Sequence, residues 1–289
     1  MSAIVAMDAG AADVLPLPVK AGAENRVHAK KQAGAKNIVS RHFDKAAQSY
    51  QSGARLQQQV AADLLALLPE VTPQQQKRLL DMGCGPGWLH PKLKNYCSEL
   101  WAADLSAQML AEAKTLNQAS CFIEADATAL PIPANCIDSI FSSLMLQWCP
   151  KPADVFAEFH RVLKDNGCFY LSTLVTDSMA EFRQSWAQVD NHAHQLKFLS
   201  AAQVLAAASA QGFVCQSDIR TYQLFYPDVQ SLARSFKQIG ANYVAGRSDS
   251  GLGGKKRWLQ FAKAYEQFRT EQGLPLSYQV LKIVARKSR

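Results

Sequence analysis

Residues 79–88 of the chain read LLDMGCGPGW. A short apolar run ends in Asp81, glycines follow at alternate positions, and the pattern then becomes amphipathic, so a strand, a tight turn and a helix are predicted. Glycine lets the backbone approach a ligand closely, and the N–H groups at a helix start attract an anionic group. Trp88 stands where a dinucleotide fingerprint has its third glycine. The turn therefore favours a ligand carboxylate over a pyrophosphate.

Acidic residues follow the next two predicted strands as well. Asp104 lies 23 residues after Asp81, at a strand end where a carboxylate accepts hydrogen bonds from both hydroxyls of a ribose. Asp126 follows the next strand, where an acceptor beside an adenine meets its exocyclic amine. Ligands of open α/β sheets bind outside the carboxyl ends of the strands. The three carboxylates therefore predict one nucleoside-binding rim.

Short apolar runs alternate with amphipathic ones from residue 78 onward, which predicts strands and helices alternating on a parallel sheet. Strands are predicted at 78–82, 100–103, 121–124, 137–142, 168–174, 213–225 and 278–285, and helices near 88–96, 106–117, 152–163, 178–190 and 200–210. Residues 1–36 show no period and are predicted to be a disordered extension. We expect residues 37–289 to form one domain, with an N-terminal helical lid at 37–72 and a basic helical insertion at 226–274.

The motifs over residues 75–175 resemble those of class I S-adenosylmethionine-dependent methyltransferases. The resemblance implies an α/β, Rossmann-like sheet with helices on both faces, a helical lid and a helical insertion before the last strand. It implies that the turn Gly83–Gly87 cradles the methionyl part of the cofactor, that Asp81 serves its ammonium directly or through water, and that Asp104 holds its ribose. The residues implied for the cofactor site are Asp81, Gly83, Cys84, Gly85, Gly87, Asp104, Leu105, Met109, Asp126, Ala127 and Leu144.

Further segments resemble the malonyl-acyl carrier protein O-methyltransferases of biotin synthesis, over about residues 38–286. They are FDKAAQSY (43–50), LQQQ (56–59), QWC (147–149), STL (172–174), WAQVD (186–190), KQIGA (237–241) and PLSY (275–278). The resemblance implies methyl transfer to the free carboxylate of a malonyl thioester, on acyl carrier protein or on coenzyme A, with S-adenosylhomocysteine as product. The methyl ester hides a charge from the fatty-acid elongation enzymes at an early, pimeloyl-forming step. The extension and residues 247–271 match poorly.

A malonyl carboxylate is ionised at neutral pH, because carboxyl pKa values lie near about 4. We therefore expect acceptor-side residues that position the substrate and no general base. The candidates are Tyr50, Gln147, Trp148, His194 and Lys197. The alternative for Tyr50 is a half-buried packing role, and for His194 and Lys197 a surface helix end.

The net charge of +7, from 31 basic and 24 acidic residues, is concentrated near the C-terminal end. From Arg234 onward twelve basic residues stand against three acidic ones, which places +9 there and −2 in the rest. Such a segment favours an anionic partner. Acyl carrier protein is acidic, so Lys255, Lys256 and Arg257 are the expected docking residues, with a solvated face as the alternative.

Other function classes are disfavoured by the pattern. Seven cysteines form no Cys-x-x-Cys pair or Cys/His cluster, so we expect free thiols, a cytoplasmic location and no metal. No apolar run reaches the length of a membrane span, and no secretory signal is recognisable, so we expect no membrane attachment. We also expect a monomer. A nucleic-acid-binding protein is less favoured because aromatic repeats and RNA-binding motifs are missing. The alternative among enzymes is a quinone or phenol methyltransferase, which would need a base near Gln147 or His194.

Overall fold

The fold is organised by a mixed sheet of seven strands. The computed structural model describes residues 39–47, 49–69, 77–239 and 252–288, and the extension predicted over 1–36 lies outside them. The strands are β1 (Arg78–Met82), β2 (Glu99–Asp104), β3 (Cys121–Glu124), β4 (Ile137–Ser143), β5 (Leu163–Leu174), β6 (Phe213–Tyr226) and β7 (Leu274–Lys287). Their spatial order is β3-β2-β1-β4-β5-β7-β6. The first five pair in parallel, and β7 is antiparallel to both β5 and β6.

Helices lie between most consecutive strands of the described residues, although none separates β3 from β4. They are α1 (39–46), α2 (Tyr50–Gly53), α3 (Arg55–Leu65), α4 (His90–Leu93), α5 (Ala107–Thr115), α6 (Pro152–Val162), α7 (Ala180–Ala187), α8 (Ala201–Ser209), α9 (Val229–Gln238) and α10 (Leu252–Tyr265). Short 3₁₀ turns occupy Lys94–Tyr96, Leu146–Trp148 and Glu266–Phe268. Within the described part of the chain, no helix is both long and apolar enough to cross a membrane.

Successive residues of β1 show how both faces of the sheet are covered. Leu79 packs with Leu64 of α3 and Leu93 of α4, whereas Leu80 packs in a second cluster with Phe156 of α6 and Ala208 of α8. Neighbouring side chains of a strand point to opposite faces. The predicted Rossmann-like α/β sheet with helices on both faces is therefore confirmed.

The strand order reverses at β1, and this reversal positions the site. β2 and β3 extend to one side of β1, and β4 and β5 extend to the other. A crevice opens outside the carboxyl ends of parallel strands at such a reversal, and ligands bind there. The turns that follow β1, β2 and β4 all meet at this crevice.

Several elements differ from the prediction in length, among them β5, which begins at Leu163 rather than Cys168 because Leu163 already pairs with Ile137 of β4. The helix predicted near 88–96 is a single turn, α4, followed by a 3₁₀ turn, and Cys97 is already extended, because the chain must enter β2 at Glu99. β7 begins at Leu274 rather than Tyr278, because its pairing with β6 continues through Phe225↔Pro275 to Tyr226↔Leu274. Backbone pairing, which the apolar pattern does not record, sets this boundary.

We predict that Phe169→Ala lowers the free energy of unfolding by about 3–5 kcal/mol, because it empties a fully buried aromatic site. The ring of Phe169 lies 4.8 Å from that of Phe213 and 5.5 Å from that of Phe156. The matched control is Val214→Ala, whose side chain is 67% exposed and whose loss costs less than about 1 kcal/mol. Urea unfolding followed by circular dichroism measures both, and similar losses would contradict this core.

Candidate active site

The glycine turn after β1 is held against the end of β2. The backbone N–H groups of Gly83 and Cys84 both donate to the carbonyl of Ala103, at 2.8 and 3.1 Å. Gly85 adopts φ +54°, and a Cβ built there has no atom nearer than 4.0 Å, where it meets Tyr50. A Cβ on Gly87 would lie 2.7 Å from Nδ1 of His90. Gly87 therefore permits close packing, whereas Gly85 faces open space suited to a ligand.

Asp104 connects this turn to β2. Its Oδ2 accepts from the N–H of Gly85 and its Oδ1 from the N–H of Ser106, each at 2.9 Å. Burial raises the pKa of Asp104 to about 6, although these backbone hydrogen bonds oppose the rise. Each carboxylate oxygen accepts more than one hydrogen bond, so both keep capacity for a ligand hydroxyl. The structure thus brings Asp104 and Gly85 together, as the sequence pattern predicts.

Asp81 lies beneath the turn. Its side chain is buried, and its Oδ2 lies 3.3 Å from Nε2 of His90, which is fully buried. His90 was not among the predicted residues, because a histidine nine positions later carries no sign that it folds back. That Asp81 binds the ammonium group of the cofactor, directly or through water, stays a prediction. Cys84 is buried beside it, and burial raises the pKa of its thiol well above the ordinary value.

The predicted adenine-side residues follow β2 and β3. Met109 is buried on α5, and its N–H donates to the N-cap hydroxyl of Ser106. Leu105 is half-buried, and Ala127 is buried. Asp126 accepts from the N–H and hydroxyl of Thr128 at 2.9 and 2.8 Å. Asp126 therefore shapes the turn after β3, in addition to any ligand contact.

Helix α1 is fastened to the end of β2 by side chains that the sequence reasoning missed. The hydroxyl of Ser106 donates to Asp44 at 2.6 Å, and the hydroxyl of Ser40 donates to the carbonyl of Leu105 at 3.3 Å. The ring of Phe43 lies 5.2 Å from that of Trp148 in an edge-to-face contact. These contacts hold α1 across the segment on which Asp104 and Leu105 lie.

A cavity of about 430 Å³ extends from this region. Its walls include four of the five predicted acceptor-side residues, Tyr50, Gln147, Trp148 and His194, together with Leu144 of the predicted cofactor site. The fifth, Lys197, is exposed and lines a neighbouring surface cleft. Within the described ranges, no group of three or more His, Cys, Asp or Glu side chains is placed to hold a metal ion.

The turn after β4 is held by several hydrogen bonds. Leu144 adopts φ +52°, a left-handed conformation unusual for a branched side chain, and its N–H donates to the carbonyl of Ser172 at 2.9 Å. The amide of Gln147 donates to the carbonyl of Leu144 at 2.6 Å and accepts from Thr173 at 3.1 Å. Gln147 therefore braces the cavity wall. Burial, reinforced by the charge of Asp104, raises the pKa of Tyr50 on α2, so its phenol stays neutral.

His194 is held firmly in the cavity wall. Its Nε2 lies 2.7 Å from Oδ1 of Asp190, and its ring stacks on that of Trp186 with centroids 3.6 Å apart. The predicted surface helix end therefore does not describe His194, whose side chain is only 9% exposed.

The three predicted docking residues on α10 separate into two groups. Lys255 and Lys256 are exposed. The guanidinium of Arg257 lies 3.7 Å from Oδ2 of Asp190 and is 29% exposed. Contrary to the prediction of one outward basic run, Arg257 turns toward the segment that carries His194. Successive residues of an α-helix are rotated by about 100° about its axis, so three consecutive residues cannot all point to one side.

We predict that Gly87→Ala destabilises the protein more than Gly85→Ala. Both replacements meet a left-handed backbone, which costs about 1–2 kcal/mol, but only the first also forces a contact below 3.0 Å with His90. Thermal unfolding of the two variants beside wild type measures the difference. Equal melting temperatures would contradict the packing of the turn.

Known proteins that are similar to this chain include methyltransferases, as the sequence motifs predict. Residues 80–171 match a methyltransferase domain family. The chain is 36% identical over 251 residues to a biotin biosynthesis bifunctional protein BioHC of Cellvibrio japonicus, covering 86% of this chain and 50% of that protein. The chain thus spans about half the length of the bifunctional relatives it matches.

Relatives of similar length show which family this is. The malonyl-[acyl-carrier protein] O-methyltransferase of Alcanivorax borkumensis is 37% identical over 272 residues, covering 92% of this chain and 91% of that protein. A Haemonchus contortus N-methyltransferase solved with S-adenosylhomocysteine shares the fold, with a TM-score of 0.53, 19% identity and coverage of 85% of this chain and 58% of that one. The chain belongs to the malonyl-[acyl-carrier protein] O-methyltransferase family.

Proposed function

We propose that this protein transfers a methyl group from S-adenosylmethionine to the free carboxylate of malonyl-acyl carrier protein, in biotin biosynthesis. The observation that carries the proposal is the cavity that begins at Tyr50 and Leu144, beside the glycine turn, and reaches His194. One end of this cavity adjoins the turn Gly83–Gly87, which is the predicted cofactor cradle. The other end is lined by aromatic side chains and includes the imidazole of His194 and the indole of Trp186. Family membership supports the same substrate.

The residues of the turn fit the cofactor. Gly85 leaves space that a Cβ would occupy, and Asp104 keeps acceptor capacity beside it. When bound, S-adenosylmethionine would supply a methyl group attached to a positively charged sulfur. A carboxylate oxygen would form a bond to the methyl carbon from the side opposite the sulfur, while the carbon–sulfur bond breaks and its electrons stay on sulfur. Asp104 would hold the ribose hydroxyls, and the turn Gly83–Gly87 would receive the methionyl part.

The transfer needs no proton movement by the protein. A malonyl carboxylate is ionised near neutral pH, and its negative charge disappears as the ester forms. The contribution of the chain is therefore alignment and exclusion of water, and good alignment supplies up to about 7–11 kcal/mol. Trp148, Trp186 and Phe198 provide apolar wall for that purpose.

The basic C-terminal segment supports a carrier protein as the partner. Lys255 and Lys256 are exposed on α10, and Lys237, exposed at the end of α9, lines the cavity itself. Complementary charge steers and orients an acidic partner. An acyl group attached to such a partner would reach the cavity from this side.

One observation favours a second candidate, a phenol or quinone methyltransferase. A histidine bonded to an aspartate, as in His194 and Asp190, is an arrangement that can remove a proton from a hydroxyl group. A carboxylate acceptor does not use a base, so the two functions differ in what His194 does.

The test of the proposed function is a product analysis with three acceptors: malonyl-acyl carrier protein, acetyl-acyl carrier protein and a catechol. We expect mass spectrometry to find a methyl ester on the malonyl carrier alone. Methylation of the catechol without reaction of the malonyl carrier would establish the second candidate instead.

We predict that Asp104→Asn weakens binding of S-adenosylhomocysteine by about tenfold or more, because hydrogen bonds to a charged acceptor are lost. In wild type, the dissociation constant should rise as the pH falls below about 6, since protonation of Asp104 competes with ribose binding. The variant should lack this pH dependence. Calorimetric titrations between about pH 5 and 8 measure both, and a constant affinity in wild type would contradict the assignment.

We predict that Lys255→Glu with Lys256→Glu raises KM for malonyl-acyl carrier protein about tenfold, with little change for malonyl-coenzyme A, because charge repulsion acts on the carrier. The matched control is Lys92→Glu with Lys94→Glu, which makes the same charge change at exposed sites of α4 and its 3₁₀ extension. Steady-state kinetics measure the ratio. An equal rise of KM in both double variants would contradict docking on α10.

A further inference from the structure

We propose that Asp190 is a positioning residue that fixes His194 as a hydrogen-bond donor to the free carboxylate of the acceptor, with the indole N–H of Trp186 as a second donor. The inference rests on the proposed function and deepens it. It identifies the residues that recognise the free carboxylate, which a malonyl group has and an acetyl group lacks. His194 was a candidate from sequence, but neither Asp190 nor Trp186 was.

The first step concerns the proton on His194. A carboxylate only accepts hydrogen bonds, so the 2.7 Å contact with Oδ1 of Asp190 places a proton on Nε2 of His194. Burial opposes ionisation of Asp190, but hydrogen bonds from His194 and from the backbone of His192 hold its pKa below the ordinary value. A neutral imidazole has a single N–H, which here lies on Nε2, so Nδ1 donates only when the ring carries both protons. A carboxylate bound at Nδ1 would place the ring between two carboxylates, and these are the surroundings in which an imidazole holds both protons.

The second step concerns ring orientation. His194 stacks on Trp186 at an interplanar angle of 7°, and Trp186 stacks in turn on Phe261, with centroids 4.4 Å apart. Stacking fixes the plane of the imidazole, and the bond to Asp190 fixes its rotation within that plane. Arg257, 3.7 Å from the other oxygen of Asp190, holds the carboxylate.

The third step is that two polar atoms in the cavity wall are buried without a partner. Nδ1 of His194 and Nε1 of Trp186 have no hydrogen bond to any described residue, and both side chains line the cavity. The exposed fraction is 9% for the side chain of His194 and 6% for Trp186. The indole N–H of Trp186 only donates, and a buried donor left unpaired is costly, so this part of the wall is matched by a ligand that accepts. A carboxylate offers two oxygens, of which one can be held while the other attacks.

Other unpartnered atoms of the cavity have the opposite character. The side-chain oxygens of Gln57 and Gln195 are buried and unpaired, and both residues line the cavity. These atoms accept hydrogen bonds and therefore suit the amide N–H groups of a pantetheine arm. The donors needed by a carboxylate are on His194 and Trp186.

The test compares binding of malonyl- and acetyl-acyl carrier protein to the enzyme saturated with S-adenosylhomocysteine, where no methyl group can be transferred. The ratio of the two dissociation constants isolates the contribution of the carboxylate. We expect the wild-type ratio to favour malonyl by about tenfold or more. His194→Gln should bring the ratio near one, and Asp190→Asn, which keeps an acceptor but removes the charge, should lower it severalfold. Trp186→Phe, which keeps the stack, should lower it in part.

The control is His192→Gln, an exposed histidine of the same segment that lines only the outer cleft, and its ratio should equal that of wild type. Unchanged binding of S-adenosylhomocysteine shows that each variant is folded. In turnover, the variants should raise KM for malonyl-acyl carrier protein more than they lower kcat. A wild-type ratio retained in both His194→Gln and Asp190→Asn would overturn the inference, as would a loss confined to kcat, which would mark His194 as a base. Failure of the proposed function would be distinguishable from failure of this inference, because in that case the wild-type protein itself would not methylate malonyl-acyl carrier protein.

Discussion

The hydrogen bond from the N–H of Gly85 to the carboxylate of Asp104 is the contact on which the site depends. It joins the turn after β1 to the end of β2, two strands that are neighbours at the reversal of the sheet. The turn is thereby held open at Gly85, and the carboxylate is held beside that opening. Burial raises the pKa of Asp104 to about 6, so the carboxylate is ionised at neutral pH.

Two other parts of the molecule complete the cavity beside this junction. Helix α1 is attached to the segment after β2 through Asp44 and Ser106, and its Phe43 packs against Trp148 at the cavity wall. On the far side, the stack of His194, Trp186 and Phe261 closes the cavity. The proposed cofactor side thus consists largely of backbone and carboxylates, whereas the proposed acceptor side consists largely of aromatic rings. This division suits a reaction in which alignment, rather than proton transfer, lowers the barrier.

Much of this arrangement could be predicted from sequence, because it depends on strand ends. Asp81, Asp104 and Gly85 follow apolar runs directly, and parallel strands bring such ends to one edge. Contacts between distant side chains leave no comparable pattern. Nothing local indicates that Asp44 meets Ser106, 62 residues away, or that Arg257 turns to Asp190. Lys197 illustrates the limit over short distances: it lies three positions after His194, yet it lines the outer cleft and not the cavity, whereas His194 lines both.

The central claim is that a carboxylate is bound between the cofactor cradle and the stacked wall. A crystal structure of the protein with S-adenosylhomocysteine and malonyl-acyl carrier protein tests it most directly. The account predicts the ribose hydroxyls on Asp104, the malonyl carboxylate hydrogen-bonded to Nδ1 of His194, and one carboxylate oxygen facing the sulfur. A carboxylate bound outside the cavity, or a ribose held away from Asp104, would contradict it.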